Sequence, residues 1–189
     1  MNLANQLTML RILMAVAMFV ALMLPGRGSH VAGLALYLAA VATDWVDGYI
    51  ARRTHTISAF GKIADPVADK ILVLGALIAL MQNRNLDIPF WGVFLILARE
   101  LLLGGVRTLA AVQGKVLAAE KWGKWKMGLQ SVAVLFMLVI LVWSENSAGT
   151  PAWLSRLPYH LTVLCVLAAW LSAYLYYRQT RRVIESSWG

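Results

Sequence analysis

Polar residues in this chain fall into bands between apolar runs at roughly 7–24, 31–50, 63–81, 88–112, 127–143 and 161–177. Each run approaches the ~20 residues a helix needs to cross bilayer hydrocarbon, and helices satisfy their own backbone donors and acceptors there. The pattern predicts an all-α, polytopic membrane protein whose six transmembrane helices form one domain over residues 1–189. Turn formers mark the breaks: Pro25-Gly26-Arg27-Gly28-Ser29, Asn83-Arg84-Asn85, Gly114, the stretch 147–151, and Pro158. Composition agrees, with 60% hydrophobic residues and a mean hydropathy of +0.69. The first run has no charged stretch before it and no small-x-small pattern near Pro25, so it reads as a retained span rather than a cleaved signal. Cys165, the one cysteine, lies mid-run, which excludes a disulfide framework and a thiolate metal site.

Six spans put both termini on one side, and the basic residues decide which. Fourteen of the seventeen Lys and Arg residues fall on or open toward the side of the termini; Arg27, Arg84 and Arg156 fall on the other. The termini are therefore expected to be cytoplasmic. The net charge of +8 suits anionic lipid headgroups and phosphorylated substrates, and no basic-aromatic stripe on a soluble domain points to nucleic acid.

Nine acidic residues are present, and four of them, Asp44, Asp47, Asp65 and Asp69, lie within one short stretch. Carboxylates at membrane depth are costly unless they meet a cavity, a partner or a cation. On a helix Asp44 and Asp47 lie about 60° apart and Asp65 and Asp69 about 40° apart, so each pair shares a face. The polar stretch 52–56 between the pairs reads as a turn that makes the second and third spans antiparallel neighbours with all four carboxylates toward one cleft. Hard oxygen ligands of this kind favour magnesium or manganese, and two such ions ~3.5–4 Å apart clamp a transferring phosphoryl group. Gly48 and Gly61 lack a side chain to fend off a ligand, and Ala51 keeps the rim small. Close helix packing also explains small residues in membranes; their fixed register with four acids and Arg52 favours a nucleotide or pyrophosphate.

The stretch resembles the signature of the CDP-alcohol phosphotransferase family, D-x2-D-G-x2-A-R-x8-G-x3-D-x3-D. Asp44, Asp47, Gly48, Ala51, Arg52, Gly61, Asp65 and Asp69 match it at every fixed position without insertion. The resemblance implies a six-helix bundle of that family, a homodimer, and displacement of CMP from a CDP-linked donor by an alcohol hydroxyl. It further implies two ions, Mg2+ or Mn2+, held by Asp44, Asp47, Asp65 and Asp69, with Asp69 as general base. Gly48, Ala51, Arg52 and Gly61 would line the cytidine diphosphate site. The opening Asn2 to Arg11 is similar to an N-x-P-N-x-L-T-x-x-R segment of the family, with Ala4 in place of the proline. Asn5 and Thr8 share a face there and are expected to meet the nucleotide.

Asp65-Pro66-Val67-Ala68-Asp69-Lys70 is similar to members that join CDP-diacylglycerol to glycerol 3-phosphate in the bacterial inner membrane and to related members that make cardiolipin; Arg99-Glu100 with Arg107, and Gly123-Lys124-Trp125-Lys126, resemble the former. The expected activity is that transfer, a step of phospholipid biosynthesis, with the lipid tails entering between helices. Glycerol 3-phosphate carries a dianionic phosphate, and Arg99, Arg107, Lys124 and Lys126 are the candidates to hold it. Glu100 and Arg107 are about 20° apart on a helix, so Glu100 is expected to orient Arg107. Arg99 also has a structural reading as an ion pair between spans, and the two lysines as a solvated flank. His55 reads as solvated. Trp91, Trp122, Trp125, Trp143, Trp153, Tyr176 and Tyr177 read as an aromatic belt near the span ends. Two rival functions remain: the same chemistry with another acceptor, such as phosphatidylglycerol, an inositol phosphate or serine, and a cation or proton transporter. Transport predicts acids strung along a path through the membrane, whereas these four cluster at one side.

Overall fold

A computed structural model describes residues 3–54, 59–112, 121–145 and 151–185. Within them, the side chains of 3, 4, 46–54, 59–63, 121, 122, 124, 152, 179 and 182–185 are outside the description. The described residues form six helices, in order α1 (Leu3–Met23), α2 (Arg27–Thr54), α3 (Ala59–Met81), α4 (Phe90–Val112), α5 (Lys121–Ser144) and α6 (Ala152–Glu185). Each overlaps one apolar run, α6 extending well beyond its run at both ends. No strand occurs among the described residues. Among the described residues three stretches are long and apolar enough to cross a bilayer by themselves: Asn5–Met23, Trp125–Ser144 and Trp153–Arg178. The other helices carry Asp44 (α2), Asp65 and Asp69 (α3), and Arg99 and Glu100 (α4) in their length.

The α1–α2 link runs through Gly26, whose φ of 107° lies in the left-handed region that only glycine adopts cheaply. Pro158 departs from expectation. It breaks no helix but sits inside α6, whose start moves back to Ala152. A proline here gives up one backbone bond, and its own carbonyl accepts from Thr162 Oγ1 at 2.8 Å. Pro66 likewise lies inside α3, between Asp65 and Asp69. The turn residues 147–150, Gly114 and His55 fall outside the described residues.

The chain divides into two compact units, residues 1–87 with 134–156 and residues 88–133 with 157–189. In the first, α1 packs against both α2 and α3. Arg11 meets Asp44, and a Cβ on Gly33 would come within 2.5 Å of Leu22, so α1 and α2 run antiparallel. Thr8 meets Asp65 and Arg11 meets Asp69, so α1 and α3 run parallel. The buried face of α1 is Thr8, Arg11, Ala15, Met18 and Leu22, spaced alternately three and four apart as in knobs-into-holes seams. His30, Gly33, Tyr37 and Ala40 repeat that spacing on α2, and continuing it reaches positions 44, 47 and 51.

In the second unit α4 and α6 meet at successive levels. A Cβ on Gly92 would come within 2.6 Å of the Thr162 methyl, Arg99 bonds Ala169 and Ser172, and Arg107 lies over Tyr176. Both numbers rise together, so these helices are parallel. The small residue at position 92 permits the close approach that membrane helices use where no hydrophobic drive separates protein from lipid.

Candidate active site

In the first unit the seam of α1 changes character at its N-terminal end. Ala15, Met18 and Leu22 are apolar, but one and two turns earlier the buried positions are Arg11 and Thr8, both 0% exposed. The Arg11 guanidinium donates through Nη1 to Asp44 Oδ1 at 2.7 Å and to Asp69 Oδ1 at 3.4 Å. Thr8 donates its hydroxyl to Asp65 Oδ1 at 2.6 Å. Three carboxylates from two helices are thus gathered along one face of a third, at the end that the spacing of the acids predicted.

Asp44 and Asp69 keep 53% and 37% of their side chains exposed, whereas the arginine between them is fully enclosed. The cluster is therefore open on its carboxylate side. Three carboxylates against one guanidinium leave two formal negative charges, before Asp47 is counted. A donor set made of oxygens with excess negative charge fits hard divalent cations. Among the described residues no group of three such ligands is already close enough to hold an ion, and the guanidinium occupies the point where Asp44 and Asp69 converge.

Asp47, Gly48, Ala51, Arg52 and Gly61 lie on the helical backbone of α2 and α3, but their side chains are outside the description, as is that of Lys124. Asn5 lies on α1, half-buried, one turn before Thr8 and Arg11. Arg11 is the residue that sequence reasoning missed. In the sequence it is one of the positive charges on the side of the termini, yet its three-residue step from Thr8 places both on one helix face.

The second unit holds a cluster of opposite sign. Arg99 and Glu100 are 6% and 7% exposed and Lys126 3%. Arg99 donates Nη1 to Glu100 Oε1 at 2.9 Å, Nη2 to Ser172 Oγ at 2.6 Å and Nε to the Ala169 carbonyl at 3.2 Å. Lys126 Nζ donates to the same Glu100 oxygen. Glu100 therefore joins α4 to α5 and Arg99 joins α4 to α6. The expectation that Glu100 orients Arg107 is not met: Glu100 holds Arg99 and Lys126, and Arg107 lies with its Cζ 5.5 Å from the Tyr176 ring centroid. Tyr176, expected in the aromatic belt, is 2% exposed, while Trp91, Trp125, Trp143, Trp153 and Tyr177 are exposed as the belt requires. Beside Arg99 lies a cavity of about 340 Å³, bounded by Leu102, Leu103, Trp170, Ala173 and Tyr174. Its lining is apolar and it lies between α4 and α6.

Comparison with known proteins adds relatives to this geometry. The family model of CDP-alcohol phosphatidyltransferase matches residues 1–173. The chain is 39% identical over 151 residues to a CDP-diacylglycerol–glycerol-3-phosphate 3-phosphatidyltransferase of Bacillus subtilis, covering 73% of this chain and 77% of that one. It is 37% identical over 135 residues to the protein of that name from Mycoplasma pneumoniae, covering 68% and 59%. The likeness to the Rickettsia felis protein of the same name is 33% over 175 residues, covering 92% and 88%.

Proposed function

The chain belongs to the CDP-alcohol phosphatidyltransferase family, and on that premise we propose that it transfers the phosphatidyl group of CDP-diacylglycerol to glycerol 3-phosphate, giving phosphatidylglycerophosphate and CMP. The observation that carries this reading is the convergence of Asp44 and Asp69 on Arg11, with Asp65 held one turn away by Thr8. It supports the signature's carboxylates acting as one site. Relatives covering most of the chain carry the name of this activity.

Asp44, Asp47, Asp65 and Asp69 would hold two divalent ions, magnesium or manganese, whose charge offsets that of the donor's pyrophosphate. Asp69 takes the proton of the acceptor's primary hydroxyl as that oxygen attacks the lipid-bearing phosphorus. The new P–O bond forms as the bond to the CMP oxygen breaks, and CMP leaves with the electron pair. No covalent enzyme intermediate is required. Arg11 fixes the side chains of Asp44 and Asp69, and Thr8 that of Asp65. Asn5, Gly48, Ala51, Arg52 and Gly61 line the cytidine diphosphate site; Thr8, expected to meet the nucleotide as well, is fully buried with its hydroxyl on Asp65. Arg99, Arg107, Lys124 and Lys126 supply the positive field for the acceptor phosphate. All six helices cross the inner membrane of a bacterium as part of a homodimer, with the termini and the carboxylates facing the cytoplasm. Lipid tails fit apolar slots such as the cavity between α4 and α6.

The test is CMP release by purified protein given CDP-diacylglycerol, magnesium or manganese, and one acceptor at a time. Release with glycerol 3-phosphate is expected. Release with phosphatidylglycerol, an inositol phosphate or serine instead would keep the family chemistry and overturn the acceptor.

A further inference from the structure

Tyr176 is not used by the reaction as described above, and it lies beyond the stretch that the family model matches. Its neighbours Tyr174 and Tyr177 are 58% and 48% exposed, whereas Tyr176 is enclosed. Two features set it apart. Its ring carries the Arg107 guanidinium on one face, and its Oη is buried with no hydrogen-bond partner among the described residues. Buried tyrosine hydroxyls ordinarily find a partner, because leaving one unmet is costly.

The level of the seam matters. One turn earlier on α6, Ser172 accepts from Arg99, and Arg99 in turn pairs with Glu100. Arg99 is thereby committed to protein acceptors through all three nitrogens. At the level of Tyr176 the situation reverses. A guanidinium stacked on a ring is fixed by its face and keeps its N–H fork directed outward in the plane. Arg107 is exposed and no acceptor among the described residues takes a hydrogen bond from it. An arginine lying over the ring of a tyrosine, with no hydrogen-bond partner for the guanidinium or the hydroxyl among the described residues, matches a ligand rich in oxygen acceptors and negative charge.

We propose that Tyr176 is a specificity-determining residue that forms the acceptor's phosphate seat with Arg107: the ring holds the guanidinium, the guanidinium pairs with phosphate oxygens, and Oη donates to the same group. This rests on the acceptor being phosphorylated, as in the proposed reaction. Arg99 is then a strut beneath the seat and not a ligand of the phosphate.

The experiment compares the wild type with Tyr176→Phe, which keeps the ring and loses the hydroxyl, and Tyr176→Leu, which loses both. KM for glycerol 3-phosphate, KM for CDP-diacylglycerol and kcat are measured alongside thermal unfolding in detergent. Tyr176→Phe should raise KM for glycerol 3-phosphate about tenfold, the size of one lost hydrogen bond to a charged group. Its KM for CDP-diacylglycerol and its melting temperature should stay at wild-type values. Tyr176→Leu should raise the acceptor KM further as Arg107 loses its platform. In an Arg107→Ala background Tyr176→Phe should add less than it does alone, as coupled residues do. A wild-type acceptor KM in Tyr176→Phe, or equal rises in both KM values, overturns the inference, and this variant decides even where Tyr176→Leu does not fold. Failure of the proposed reaction itself looks different: the wild type then releases no CMP with glycerol 3-phosphate, and both readings fall.

Discussion

The two charged clusters are inverses of each other. In the first unit three carboxylates surround one arginine; in the second, an arginine and a lysine share one glutamate. The first has surplus negative charge and leaves Asp44 and Asp69 about a third to a half exposed; the second has surplus positive charge and closes over its members. A buried, mutually satisfied ion group works chiefly as structure, because opening it means desolvating charges for nothing. A half-open group with unbalanced charge is a place for ligands. The contrast supports the proposal that Asp44, Asp65 and Asp69 do the chemistry and that Arg99 and Glu100 support the fold, although both clusters looked alike as intramembrane charge.

The largest expected effect is on turnover. Asp69→Asn keeps the shape and an acceptor for Arg11 but loses the base, and kcat should fall by about 10²–10⁴-fold with thermal unfolding in detergent little changed. Glu100→Gln should show the opposite profile. It leaves two buried cations sharing a neutral amide, a change of the kind that costs about 3–5 kcal/mol, read as a drop in unfolding temperature. Turnover of the surviving folded fraction that stays near wild type would support its role as a strut. Gly92→Val comes next, because its added carbons meet the Thr162 methyl and Pro89; overpacking of this kind costs about 1–3 kcal/mol and should loosen α4 from α6 in the same melt. The smallest stability effect belongs to Asp44→Asn. Arg11 is enclosed, but the amide keeps an acceptor oxygen for it, Asp69 stays within reach and Asp44 is itself half-exposed, so the melting loss should be smaller than in Glu100→Gln or Gly92→Val, while divalent-ion affinity and activity should drop sharply. A large melting loss here would erase the distinction between the clusters.

How much of this was legible in the sequence differs between helices and seams. Six apolar runs located six helices, and the phase of Asp44, Asp65 and Asp69 placed them at a common point, since those depend only on local periodicity. Long-range pairings were not legible. On α1 the outward Leu13, Val16 and Val20 are as apolar as the inward Ala15, Met18 and Leu22, because the surroundings of a membrane helix are themselves apolar. Hydrophobicity therefore cannot show which side faces protein. The polar residues in the alternating stripe do show it: Thr8 and Arg11 on α1, Lys126 and Gln130 on α5, and Ser172 and Thr180 on α6 are all buried. Tyr176 lies on that same α6 stripe, which is the signal that separates it from the exposed Tyr177. Pro158 is not a break because a proline also fits a helix where its neighbours re-satisfy the freed backbone.

The reaction at the carboxylate cluster is tested most directly by incorporation of radiolabelled glycerol 3-phosphate into lipid by purified protein supplied with CDP-diacylglycerol and magnesium, comparing wild type with Asp69→Asn. The wild type should place label in an organic-extractable phospholipid in step with CMP release, and the variant should do both at least about a hundredfold more slowly. Label incorporated by Asp69→Asn at the wild-type rate, or CMP released by the wild type with no label in lipid, would contradict it.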